Sequence, residues 1–156
     1  MRKCSLDNLN SVFAEIAKAM TLYLPVDTEN SGATFTQWTD GVQYSEALNT
    51  VRSPKDFFFP QTEDLMAFRT EGKNIEIIDT RSETEDFAIF GVRACDVKSF
   101  DILDRVFLSD PVDSYYANRR EHGVIISVAC TRPSETCFCT AFDIDATAPQ
   151  GDISGW

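Results

Sequence analysis

Four cysteines carry the chemistry that this sequence could do: Cys95, Cys130, Cys137 and Cys139, spaced C-x34-C-x6-C-x-C. Four thiolates can hold a 4Fe–4S cluster, a 2Fe–2S cluster or a zinc ion. A C-x-C pair is tight for one tetrahedral zinc, whose ligand pairs are usually separated by about two to four residues. It suits the different irons of a larger cluster better. The alternative is inert packing, because cysteine is among the most buried residue types. Cys4 stands apart near the N-terminus and reads as such a packed thiol or as an exposed free one. The single histidine, His122, excludes any site that needs two and reads as a surface or capping residue.

The elements around the four thiols place them. Phe87–Val92 and Val124–Val128 are short apolar runs that read as buried strands. Cys95 follows the first and Cys130 follows the second. Between them, Val97, Phe100, Leu103, Val106 and Phe107 share one helix face. A second helix is expected to open at Asp110-Pro111, with Asp110 as N-cap and Pro111 at the first helical position. Its last turn carries Arg119 and Arg120, and His122-Gly123 ends it. A strand–helix–helix–strand order is a crossover connection, so the two strands should lie parallel. Both thiols then emerge at one sheet edge, roughly one strand spacing (about 5 Å) or two apart. Cys137 and Cys139 follow on the loop 131–139 (TRPSETCFC), which can fold back over that edge. Open α/β sheets bind ligands at this carboxyl edge. Cys95 also precedes a helix N-terminus, which favours negative charge, and Arg93 and Arg132 flank the strand ends. Phe138, between the last two thiols, is placed to shield a cluster from water.

The rest of the chain supplies a frame. Leu9, Val12, Phe13, Ile16, Ala17 and Met20 form a helical stripe, which Pro25 is expected to stop. Ala33–Trp38 and Ile75–Asp79 read as strands, Gln61–Arg69 as a short helix, and Glu71–Asn74 as a turn. Phe57, Phe58 and Phe59 are too apolar to be fully exposed, and read as core with one ring left for an interface. Asp96, Asp101 and Asp104 read as a solvated helix face. Tyr115, Tyr116, Arg119 and Arg120 read as packing plus helix C-terminal charge rather than a nucleotide contact. The expected fold is α/β (α+β being the alternative): a mixed sheet with parallel central strands and packed helices.

Composition narrows the function. With 156 residues, 14 basic and 25 acidic, the net charge is 14 − 25 = −11, which speaks against nucleic-acid binding. No run approaches the roughly 20 apolar residues of a membrane helix. The N-terminus lacks the apolar stretch of a secretory signal, so the expected compartment is the cytoplasm, where cysteines serve as ligands or reactive thiols rather than disulfides.

Three segments carry a resemblance: FGVRACDVKSFDILDRVF (90–107), DSYYANRREHGVIISVACTRPSETCFCTAF (113–142) and, more weakly, SPKDFFFPQTEDLMAF (53–68). They resemble the N-terminal domain of the iron–sulfur (beta) subunits of cytoplasmic nickel–iron hydrogenases and sulfhydrogenases, and of the corresponding iron–sulfur subunit of anaerobic sulfite reductase. The resemblance implies an electron-relay module of an anaerobic oxidoreductase complex. It implies that Cys95, Cys130, Cys137 and Cys139 ligate an iron–sulfur cluster, with 4Fe–4S preferred. In that family a ferredoxin-like domain with two C-x2-C-x2-C-x3-C-P motifs follows, and this chain has neither motif. Residues 1–144 are therefore expected to form one domain, and residues 145–156 a linker toward a missing ferredoxin-like domain. The partners implied are a catalytic or flavin subunit, together with that further domain. No substrate chemistry is expected here. The alternative reading is a zinc-stapled or metal-free docking module that assembles a catalytic subunit.

Overall fold

A computed structural model of the protein describes residues 8–29 and 32–155, and Cys4 lies outside them. In chain order the elements are α1 (Leu9–Ala17), β1 (Thr21–Thr28), β2 (Gly32–Gln37), β3 (Met66–Glu71), β4 (Asn74–Asp79), β5 (Phe87–Val92), α2 (Ala94–Phe107), α3 (Ser114–His122), β6 (Gly123–Val128) and β7 (Ile153–Gly155). The main sheet has the order β2-β1-β5-β6-β7, and β3 pairs with β4 in a separate hairpin. β1 and β2 are antiparallel, whereas β1–β5, β5–β6 and β6–β7 are parallel. The α/β class and the parallel centre are as expected.

Alternation along the central strands divides the core between the two sheet faces. Ala88 and Ile126 join Phe13, Leu22 and Leu24 on one side, with Leu9, Ile16 and Met20 packed against them. Ile89 and Ile125 join Phe58, Val97, Phe100 and Tyr116 on the other. Within the stripe of α1, Val12 stays 38% exposed, and on α2 Val106 is 58% exposed, so neither belongs to the core. The triple phenylalanine divides as expected: Phe58 is fully buried, Phe57 packs at the margin, and Phe59 is 50% exposed.

Three expected elements are corrected. Pro25 does not stop α1, which ends at Ala17; it sits inside β1. Proline is tolerated there because the β1–β5 pairing covers only Thr21 to Tyr23, while the Pro25 carbonyl accepts the Ser45 N–H at 2.8 Å. The second correction concerns residues 61–69, expected as a helix. Met66–Glu71 instead pairs antiparallel with β4, Phe68 facing Ile77. The apolar run LMAF fitted either period, and the partner strand across the turn decided it. The third is the start of α3. Asp113, not Asp110, is the N-cap, accepting the N–H groups of Tyr115 and Tyr116 at 3.0 Å each. Near the chain's end β7 adds to the sheet edge, Ile153 pairing with Ile126.

A bulge in β5 shapes its exit. The β5–β6 register shifts between Phe90 and Val92, and Gly91 between them has φ +89°. A Cβ at Gly91 would lie 3.0 Å from Pro25 Cδ. The buried proline of β1 and the glycine of β5 thus fit each other, and the bulge re-aims the chain two residues before Arg93. Gly91→Ala should lower the unfolding free energy by about 1–3 kcal/mol, read as a lower denaturant midpoint at unchanged m-value. Gly41→Ala should cost less, because a Cβ at Gly41, although also at positive φ, meets nothing within 4 Å.

Candidate metal centre

β5 and β6 run side by side, Ile89 opposite Ile125, so both leave the sheet at the same edge. Cys95 is the second residue of α2, and Cys130 lies two residues past β6. The Cys130 N–H donates to the Ala146 carbonyl at 2.8 Å, which ties the thiol-bearing turn to the segment that returns toward β7. Asp152 and Ser127 hold that segment farther on: Asp152 Oδ2 accepts the Ile125 N–H at 2.8 Å, and the Gly151 N–H donates to Ser127 Oγ at 3.2 Å. Cys139 opens a 3-10 turn, Cys139–Phe142. Cys95, Cys130 and Cys139 are half-buried, while Cys137 is exposed. The turn that carries Cys137 bonds to itself: its N–H reaches the Ser134 carbonyl at 3.1 Å, and its Sγ accepts the Ser134 N–H at 3.2 Å.

Cys95 and Cys130 therefore follow strand ends at one edge, Cys137 and Cys139 lie on the loop after them, and charge on one thiol opposes ionisation of another. Cys95 feels Cys139 and Cys130, and Cys130 feels Cys139 and Cys137. Among the described residues, no three His, Cys, Asp or Glu side chains are gathered closely enough to hold a metal ion. Burial pushes the Cys95 thiol up to about 11, and the neighbouring Asp96 carboxylate adds to it. The Asp96 N–H opposes this, so the helix N-terminus acts as expected but is outweighed. Asp96 is itself held by Ser53 Oγ at 2.8 Å and Lys55 Nζ at 3.5 Å. Burial also raises Cys130, and there Arg93 counteracts it.

Arg93 does more at this edge than strand-end position alone suggested. Its guanidinium donates to the carbonyls of Ala129 at 3.2 Å and Ala47 at 3.1 Å, and its charge favours the Cys130 thiolate. It joins the two strand ends and places a fixed positive charge beside Cys130. Only an arginine directly after an apolar strand hinted at this. Arg132, its expected counterpart, is exposed on the loop. Phe138 does not cover the thiols: it is 58% exposed and meets the 60%-exposed Phe142 at 5.6 Å between ring centres.

The other candidates resolve as structure. Asp101 is a solvated residue paired with Lys98 at 3.2 Å. Asp104 is not: it accepts Tyr116 Oη at 2.6 Å and Arg120 Nε at 3.0 Å against the aromatic core. Arg119 pairs with Glu63, and His122 Nδ1 lies 2.7 Å from Asp86 at the surface.

The fold is a doubly covered α/β sheet with thiols following the carboxyl ends of two central strands, the edge at which open α/β sheets commonly bind ligands. Sulfhydrogenase 2 subunit beta of Pyrococcus furiosus is 36% identical over 104 residues, which is 67% of this chain and 29% of that protein. The chain is a relative of the sulfhydrogenase beta-subunit family, and spans less than a third of the length of that relative. No family model and no solved structure matches it. No described helix is long and apolar enough to cross a membrane.

Two outcomes follow for the metal-free chain. Iodoacetamide at about pH 8 should modify exposed Cys137 first and Cys95 last, because a thiol titrating near 11 is only about one-thousandth thiolate there. The Cys95 rate should rise roughly tenfold per pH unit toward 11; equal rates at both sites by peptide mapping would contradict the assignment. Arg93→Leu should slow alkylation of Cys130 severalfold, whereas Arg132→Leu should leave it unchanged.

Proposed function

We propose that this domain is an electron-transfer module of a multi-subunit redox complex, in which Cys95, Cys130, Cys137 and Cys139 hold one iron–sulfur cluster. The observation that carries the reading is the delivery of these thiols by two adjacent parallel strands and the loop after them to one edge, beside the fixed charge of Arg93. The kinship with a sulfhydrogenase beta subunit supports it. By chemistry the donor set fits: four soft thiol ligands with a cation among them. By position no three ligands are gathered, and exposed Cys137 lies in a turn that bonds to itself through Ser134, so cluster binding requires this turn to move toward the other thiols.

A bound cluster, 4Fe–4S by preference, supplies a one-electron couple. The chain's own residues do the rest. Cys95 must give up its proton to bind, and burial beside Asp96 makes that proton hard to lose, so apparent metal affinity falls steeply as pH falls. Arg93 offsets part of the ligands' negative charge and fixes Ala129 next to Cys130. The electron partner is a flavin or catalytic subunit, with a ferredoxin-like domain as the further relay, in an anaerobic cytoplasmic complex of the hydrogenase or sulfite reductase type. A second reading, a zinc-stapled or metal-free docking module, is favoured by the ungathered ligands.

Anaerobic reconstitution with iron and sulfide tests the choice. The expected product is brown, bleaches with dithionite and holds about four irons per chain. Cys95→Ser, Cys130→Ser and Cys139→Ser should each lower bound iron severalfold, with Cys4→Ser unchanged. A colourless chain with about one zinc supports the second reading, and a colourless chain with no metal removes the cluster altogether.

A further inference from the structure

The β3–β4 hairpin stands apart from the main sheet. Its register sets Met66 across from Asp79, Phe68 across from Ile77 and Thr70 across from Ile75, so these six side chains share a face. On that face Met66 is 70% exposed, Phe68 76%, Ile75 71% and Ile77 72%. The opposite face carries Ala67 and Ile78, both half-buried, with the Arg69–Glu76 pair beyond them. The hairpin turns its largest apolar side chains outward.

This is not a frayed element. Tyr115 Oη donates to the Leu65 carbonyl at 2.7 Å, and Thr80 Oγ1 donates to the Asp64 carbonyl at 2.7 Å. Arg81 bonds Asp79 at 2.9 Å and Ser114 at 2.7 Å. The base is fixed to α3 and to the turn before β5, while the ladder above it faces water. A two-stranded hairpin is marginal alone, and a contiguous apolar patch of this kind marks an interaction surface.

Charge selects the occupant. Segment 61–86 holds 3 basic and 8 acidic residues, 3 − 8 = −5, within a chain of net charge −11. On the face itself the one carboxylate, Asp79, is bonded to Arg81, but around it the segment's carboxylates outnumber its cations, and two such acidic surrounds repel each other, which disfavours a second copy. Topology sets the location: the hairpin leads through the turn Thr80–Glu83 into the amino end of β5, whereas the thiols follow the carboxyl ends of β5 and β6. We infer that the face formed by Met66, Phe68, Ile75 and Ile77 docks a different protein chain, through an apolar surface rimmed by Lys and Arg, at the end of the sheet opposite the thiols. The inference rests on the multi-subunit reading for the partner's being a redox subunit, but not on the cluster.

The test places the photo-crosslinker p-benzoylphenylalanine at position 68 of the full chain in its own cells and maps the adduct by mass spectrometry. The expected adduct is dominated by one other polypeptide, with Lys or Arg next to apolar residues at the crosslinked site. That polypeptide, purified, should bind the full chain, and Phe68→Asp/Ile77→Asp should weaken binding about thirtyfold or more. The double variant should keep its far-UV circular dichroism and its metal content, because the replaced side chains are already in water. Phe68→Ser serves as the milder second variant. Cys95→Ser should leave docking intact, so loss of the cluster and loss of docking are read separately. Adducts to a second copy, to the chain itself or to many proteins, or unchanged affinity in the variants, would overturn the inference.

Discussion

Parallel pairing of β5 with β6 is the constraint on which the site depends. Two strands that run the same way in neighbouring positions must release their chains at the same edge. With Cys95 three residues beyond one strand and Cys130 two beyond the other, thiols far apart in sequence are delivered to the same edge by backbone pairing. The crossover α2–α3 that makes the pairing parallel also covers one face of the sheet and seals Phe100 and Tyr116 against it. The same connection therefore builds the core and sets the geometry of the edge.

Details of the edge arise from its neighbours. The Gly91 bulge, shaped by Pro25, turns the end of β5, and Arg93 then reaches across to Ala129. The returning segment ties Cys130 to Ala146 and anchors on Asp152 and Ser127 before β7 joins the sheet. Three half-buried thiols and one exposed thiol result, and burial and Asp96 hold the most constrained of them, Cys95, protonated.

Much of this was legible in the sequence because the strand–helix–helix–strand unit has unambiguous periods. Val124–Val128 is too short and too β-branched for a helix, and Val97, Phe100 and Leu103 fit only a helical face. What escaped was decided by partners distant in sequence. Pro25 is acceptable in β1 only because Gly91 yields space and Ser45 takes its carbonyl. Met66–Glu71 is a strand only because Asn74–Asp79 lies across from it. Asp104 looked solvated until Tyr116 and Arg120 came against it from α3. Arg93 could be placed beside Cys130, but its double grip on carbonyls could not.

The two ends of the sheet differ: thiols follow the strands at the carboxyl end, and an apolar hairpin leads into the other. The central claim is that four sulfurs surround one metal group at the former. Iron-edge X-ray absorption on the anaerobically purified chain tests it most directly. The expected spectrum shows iron bonded only to sulfur, with further iron beyond, and loses this signature in Cys130→Ser. A first shell of nitrogen and oxygen, or iron unaffected by that substitution, would contradict it.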